Sequence, residues 1–290
     1  MRLVRRIVEV RELVGEARRN GLRIGLVPTM GFLHEGHLSL VDRCRELSDL
    51  VVMSIFVNPL QFGPSEDLES YPRDMERDLA LAEGRRVDLV FAPANEELYP
   101  EPPTAVVAPR RLADRLCGAS RPGHFEGVLT VVAKLFGIVQ PDVSVFGQKD
   151  FQQAVLIQRM VSDLNMAVRV EVAPTVREPD GLAMSSRNAY LSGDERARAV
   201  SISQALAWAV AAFRSGERDA GLLRSQIRVR LDAVGGVDVE YVEAVSARDL
   251  EPVSSAAADT VMAIAARIGS TRLIDNACLG NPDPGLAKLL

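Results

Sequence analysis

Lysine is almost missing from this chain of 290 residues: Lys134, Lys149 and Lys288 are the only lysines among 34 cationic side chains, and His34, His37 and His124 are the only histidines. Cysteine is as scarce. Cys44, Cys117 and Cys278 lie far apart, with no CxxC and no histidine at metal-ligand spacing, which argues against a disulfide framework and against a zinc site. A net charge of −5, with no basic stripe carrying interleaved aromatics, disfavours nucleic acid as a partner. No apolar run approaches the ~18 residues of a membrane span, and the charged start MRLVRRIVEVRELVGEARR lacks the apolar core of a signal peptide. The expected setting is the cytoplasm, with reduced thiols. The length itself excludes a peptide hormone or a disulfide mini-scaffold.

What remains is an ordinary globular composition, 47% hydrophobic and 25% charged, so the pattern along the chain carries the information. Apolar runs at residues 23–29 and 50–57 are short and continuous, as expected of strands covered on both faces. Further strands are expected at 87–92, 143–146 and 168–176, and helices at 37–47, 74–83, 128–138 and 150–164. This alternation predicts an α/β fold, a Rossmann-like doubly wound parallel sheet. The turn-forming stretch EPDGLAMSSRN marks a boundary, so the expected domains are 1–180 and 181–290. In the second, helices at 193–214 and 220–231 precede apolar runs at 237–245, 260–268 and 271–277, which predict a smaller α+β domain with a short antiparallel sheet.

Three polar turns stand out. PTMGFLHEGH, residues 28–37, joins the first buried strand to its helix, at the carboxyl end of the sheet where ligands bind. Gly31 and Gly36 allow close backbone approach, and the helix start favours a phosphate. His34 and His37 can donate to phosphate oxygens; the same spacing suits a metal or a plain helix cap. FGQKD, residues 146–150, follows another strand, and Lys149 there is either a compact counter-charge for a triphosphate or a solvated turn residue. Asp150 can cap the helix or face a metal-bound water, and Gln152 and Gln153 can read a small polar substrate. GLAMSSRN, residues 181–188, offers hydroxyls and a guanidinium on the boundary loop.

An HxGH turn, a lysine turn and a Met-Ser-Ser loop in this order resemble the nucleotidyltransferase superfamily. With FVNPLQFGPSEDLESYPR and RPGHFEGV added, PTMGFLHEGH, FGQKDFQQ and VREPDGLAMSSRN resemble the successive motifs of the pantothenate synthetase (pantoate–β-alanine ligase) family over residues 28–190. Phe32, where the family usually has alanine, and Leu60, where threonine is frequent, are small departures. The resemblance implies an ATP-dependent, AMP-forming acid–amine ligase that joins pantoate to β-alanine through a pantoyl adenylate. It implies an ATP site of Met30, Gly31, Phe32, Leu33, His34, Glu35, Gly36, His37, Gly147, Gln148, Lys149, Asp150, Val176, Met184, Ser185, Ser186 and Arg187, with His37 catalytic. Gln61 and Gln153 match the pantoate residues, Gln61 also serving β-alanine, with Asn58 and Arg121 as neighbours, and His124 is expected to organise that wall. Mg²⁺ is expected to arrive on the triphosphate, with no dedicated protein metal site and no prosthetic group, in a homodimer. Two rivals are an HxGH nucleotidyltransferase with another acceptor and an adenine-nucleotide-binding module without turnover.

Overall fold

The computed structural model describes residues 1–64 and 66–289; Ser65 of the second quoted motif, and Leu290, lie outside the described residues. The chain divides into two compact units. One comprises Met1–Ala113, Gly118–Gly147 and Leu156–Ala173; the other comprises Asp114–Cys117, Gln148–Val155 and Pro174–Leu290.

The first unit is built on β1 (Arg2–Val4), α1 (Ile7–Arg19), β2 (Ile24–Thr29), α2 (Glu35–Leu47), β3 (Leu50–Ile55), α3 (Met75–Gly84), β4 (Leu89–Phe91) and the single turn α4 (Asn95–Leu98). After α5 (Leu116–Ser120) come α6 (His124–Val139), β5 (Val143–Gly147), α7 (Phe151–Asp163) and β6 (Arg169–Ala173), with α5 and α7 each shared between the units. Six strands form one sheet in the order β1-β4-β3-β2-β5-β6, every pair parallel. The two central strands β2 and β3 are buried nearly throughout, which is why their sequences run apolar without alternation. The chain leaves β2 toward β3 and leaves β5 toward β6. The carboxyl ends of these two neighbouring strands therefore form the switch point at which open parallel sheets bind ligands.

Among the local differences from the sequence expectations, two lie at the start of the chain and after β3. Residues 2–19, conspicuous for charge, form β1 and α1; Val10, Val14 and Ala17 carry the buried stripe at helical spacing while the arginines face solvent. β3 ends at Ile55 although the apolar run continues to Val57, because Asn58 caps a 3₁₀ turn, Pro59–Gln61, by accepting a bond from the Leu60 amide.

The second unit contains α8 (Gly193–Arg214), α9 (Ala220–Asp232), β7 (Asp238–Ser246), β8 (Thr260–Ile268), β9 (Thr271–Cys278) and the short α10 (Pro284–Ala287). Its sheet is antiparallel in the order β7-β8-β9. A reciprocal capping box starts α8: the Glu195 amide donates to Ser192 Oγ (3.3 Å), and the Ser192 amide donates to Glu195 Oε2 (2.9 Å). Leu273 and Ala277 of β9 join the core made with Ile202 and Leu206 of α8 and Ile264 of β8. Asp275 has the same parity as these two and so sits on the core-facing side. Its charge is met by Arg177, whose Nη1 and Nη2 reach the carboxylate at 2.6 and 3.0 Å. The same guanidinium donates to Asp283 (Nε 3.0 Å, Nη2 2.8 Å) and to the Gly181 carbonyl (3.2 Å). Burial works against the Arg177 charge, and the two carboxylates more than offset it, holding its pKa above the ordinary value.

Arg177→Met would leave two buried carboxylates without a counter-charge. It should destabilise the protein by about 3–5 kcal/mol, read as a lower midpoint in urea unfolding; an unchanged midpoint would contradict this account.

Candidate active site

The loop from β2 to α2 is fixed from beneath. Thr29 Oγ1 donates to the Ser54 carbonyl (2.7 Å) and accepts from the Gly31 amide (3.3 Å). Gly31 has φ +83, and a Cβ there would lie 2.9 Å from Asp78 Oδ2, so the position admits only glycine without strain. Asp78 of α3, nearly fully buried, then accepts from two consecutive amides, Phe32 N to Oδ2 and Leu33 N to Oδ1, both at 2.7 Å. Burial pushes the Asp78 carboxyl above its usual range, and these two amides oppose that shift. Phe32 takes a positive φ of 50, its ring lies 5.1 Å from the Arg77 guanidinium, and Leu33 plugs into the core of the first unit.

This loop sets the two histidines. The helix begins two residues earlier than the sequence predicts, at Glu35, so His34 is its N-cap and His37 sits in the first turn. The rings approach to 4.1 Å between centroids. The His34 amide donates to His37 Nδ1 at 3.4 Å. A backbone N–H can only donate, so Nδ1 is the acceptor and the neutral ring of His37 carries its proton on Nε2. Nε2–H is then a donor at a helix start, where an anion is favoured. Glu35 turns its side chain to Arg85.

A second cluster in the same unit surrounds Gln61. Its carbonyl accepts from His124 Nδ1 (2.8 Å) and from Arg121 Nη2 (3.3 Å), and Arg121 Nη1 donates to His124 Nε2 (2.9 Å). Arg121 is itself held by Glu66 through two bonds, Nε to Oε1 (2.7 Å) and Nη2 to Oε2 (2.6 Å). The Gln61 amide meets Met30 Sδ (2.8 Å) and accepts from Asn58 Nδ2 (3.2 Å). Asn58 is fully engaged, donating also to the Gly127 carbonyl (3.0 Å) and accepting from Tyr99 Oη (3.0 Å). Burial pushes the Tyr99 hydroxyl up to about 12, keeping it a donor. A Cβ on Gly127 would stand 2.2 Å from the Leu60 carbonyl, so glycine is what lets α6 approach this turn.

The second unit holds the other expected residues. Lys149 lies in the 3₁₀ turn Gln148–Asp150, with Nζ 4.0 Å from Asp150 Oδ1. Gln152 is buried and donates to the Arg115 carbonyl (2.8 Å), whereas Gln153, one step round α7, is half-buried. Val176 and Met184 are joined, the Met184 amide donating to the Val176 carbonyl (3.0 Å). Ser185 Oγ accepts from the Arg187 amide (3.3 Å) and starts the 3₁₀ turn Ser186–Tyr190. Thus Met30–His37, Asn58, Gln61, Arg121 and Gly147 belong to the first unit, and Gln148–Asp150, Gln153, Val176 and Met184–Arg187 to the second.

The sequence profile of the family described as Pantoate-beta-alanine ligase matches residues 2–278. The chain belongs to that family. It is a ligase by that membership. Among relatives it is similar to the pantothenate synthetase of Pelotomaculum thermopropionicum, 54% identical over 94% of this chain and 97% of that one. The Moorella thermoacetica pantothenate synthetase is 52% identical over 96% and 99%. Of solved structures, the pantothenate synthetase of Thermus thermophilus superposes with a TM-score of 0.92 at 44% identity, covering 97% of this chain and 100% of that one. The Francisella tularensis pantoate-beta-alanine ligase, complexed with beta-gamma ATP and beta-alanine, gives 0.79 at 32% identity over 97% and 98%.

Sequence reasoning did not single out Asp78, Glu66 or Tyr99, each of which holds an expected site residue; Glu66 lies within the motif FVNPLQFGPSEDLESYPR without having been picked from it. Asp78 left a faint signal, an acidic residue in the first turn of α3 whose side chain faces inward.

Burial alone would raise the Glu66 carboxyl, but Arg121 more than offsets this and holds it below its ordinary value of 4.5. Its pairing therefore adds stability above that value and loses it as pH falls through the lower folded-state pKa. In urea unfolding, the gap between the parent protein and Glu66→Gln should be present at pH 7 and close progressively below about pH 4.5; a gap independent of pH would contradict the ion pair.

Proposed function

We propose that the chain condenses pantoate with β-alanine in two steps, forming pantoyl adenylate and pyrophosphate from pantoate and ATP, and then pantothenate and AMP. The observation that carries this reading is His37 at the start of α2, with Nδ1 accepting from the His34 amide and the proton on Nε2, a donor. A carboxylate resists attack by an amine because its leaving group is poor. Transfer of AMP makes a mixed anhydride, and that transfer is an in-line displacement in which charge builds on phosphate oxygens. A fixed donor at the positive end of a helix serves such a step by positioning and electrostatics.

In this reading Met30–His37, Gly147–Asp150, Val176 and Met184–Arg187 bind ATP, with Lys149 on the phosphates and the 177–188 loop ordering around them. Gln61 and Gln153 hold pantoate, whose carboxylate an amide can orient without quenching its nucleophilicity, and Gln61 also meets β-alanine. Asn58 and Arg121 act beside pantoate chiefly by fixing Gln61, which fits their bonds to it. Mg²⁺ enters on the triphosphate and screens its charge; among the described residues no three His, Cys, Asp or Glu converge on a cation site, and Asp150, half exposed, is the carboxylate suited to meet a metal-bound water. The family match over residues 2–278 and the beta-gamma ATP and beta-alanine bound by the Francisella tularensis relative support pantoate and β-alanine over another acceptor, and turnover over mere nucleotide binding. The reading extends to a cytoplasmic homodimer; no helix among the described residues is long and apolar enough to cross a membrane.

Labelled pyrophosphate should exchange into ATP when pantoate is present and β-alanine is absent, and His37→Ala should slow that exchange on the order of 10²- to 10³-fold. Exchange that requires β-alanine would rule out the separate adenylate, and an undiminished rate in His37→Ala would reduce His37 to a helix cap. Sedimentation equilibrium should return twice the 31.5 kDa chain mass; a value of one chain mass would exclude the dimer.

A further inference from the structure

The strand β9 interrupts an apolar run with two consecutive polar residues, Asp275 and Asn276, and both are buried. Successive side chains on a strand point to opposite faces. Asp275 faces the core and Arg177, while Asn276 faces the other way, toward the turn that carries Lys149. Asn276 Nδ2 donates to two consecutive backbone carbonyls of that turn, Gln148 O and Lys149 O, each at 3.0 Å. Its Oδ1 accepts from Gln148 Nε2 at 3.4 Å. Carbonyl oxygens only accept, so the amide nitrogen must be the end that faces them, and the orientation of the side chain is fixed. The carboxamide is anchored in turn, because the Asn276 backbone amide donates to Asp275 Oδ1 (2.8 Å), on the carboxylate that Arg177 holds.

We propose that Asn276 is a positioning residue for Lys149, clamping the turn 148–150 so that the ammonium is presented to the triphosphate. The inference rests on the assignment of Lys149 to the phosphates. One planar amide bonded to two successive carbonyls fixes the peptide planes on both sides of the Lys149 Cα, and so the direction in which the four-carbon stem departs. Lys149 needs such a clamp because its own side chain is long and rotatable, and its nearest ionic neighbour, Asp150, is 4.0 Å away and half exposed. Nothing about Asn276 touches the reacting atoms; it acts through the backbone of another residue.

The test is a double-mutant cycle on the full chain, read by pantoate-dependent exchange of pyrophosphate into ATP, with thermal melting run on every variant. Asn276→Asp keeps the shape but sets a carboxylate oxygen against two carbonyl oxygens. It should lower kcat/KM for ATP on the order of 10²-fold, the penalty of a misplaced group near the chemistry. In a Lys149→Ala background the same change should cause little further loss, because the group it positions is gone. If Asn276→Asp does not fold, Asn276→Ser, which keeps one donor, takes its place in the cycle and should give a smaller loss with the same non-additivity. Losses that multiply in the double variant would overturn the inference while leaving Lys149 on the phosphates, and so would full activity in the folded Asn276 variant. Undiminished exchange in Lys149→Ala is a different pattern; it would overturn the assignment of Lys149 and this inference with it.

Discussion

A buried carboxylate bonded to two neighbouring backbone amides governs the first unit. Asp78 accepts from Phe32 and Leu33, and that pair of bonds holds the loop in its left-handed turn at Gly31 and Phe32. From there the geometry is forced: Leu33 enters the core, His34 becomes the N-cap of α2, and His37 falls three residues on, where its Nδ1 meets the His34 amide. Removing the carboxylate would take an acceptor from two buried or half-buried amides, at about 1–3 kcal/mol each. Because the Asp78 charge is met mainly by amides, with Arg77 no nearer than 4.0 Å, its neutralisation adds little positive charge beside the helix start, where an anion is favoured.

The cluster around Gln61 follows the same logic with different chemistry. His124 and Arg121 do not point into open space; they hold a backbone carbonyl, and Glu66 holds Arg121. The Gln61 amide is thereby fixed at its backbone and steadied at its side chain by Asn58 and Met30. In its proposed role of orienting a carboxylate, Gln61 gains from this arrangement, since the ordering entropy of its backbone is already lost before substrate arrives.

How much of this was legible in sequence depended on the range of the interactions. β2, β3 and β5 were legible because burial on both faces writes a continuous apolar run, and the HxGH turn because its residues lie within one loop. α1 was hidden by arginines on its exposed face, and its buried stripe is only Val10, Val14 and Ala17. Asp78 reaches a loop 45 residues away and Asn276 a turn 127 residues away, and neither leaves a local pattern. Gln152 and Gln153 show the limit plainly. They are identical neighbours in sequence, yet about 100° of helix rotation sends one to the Arg115 carbonyl in the interior and leaves the other half-buried.

The near absence of lysine now has a physical sorting behind it. Arg177 bonds two carboxylates and a carbonyl at once, and Arg121 bonds a carboxylate, an imidazole and a carbonyl; each uses the planar fork in several directions, which an ammonium on a flexible stem does not match. These are structural duties, fixed within the protein. Lys134 lies 4.8 Å from the Tyr99 ring, a contact a point charge makes well. Lys149 is the remaining lysine in a motif, and its ammonium makes no close ion pair of its own among the described residues, with Asp150 at 4.0 Å. In the proposed role on the triphosphate, a compact charge on a turn bonded by Asn276 is apt, so the residue type and the Asn276 bonds answer the same requirement from two sides.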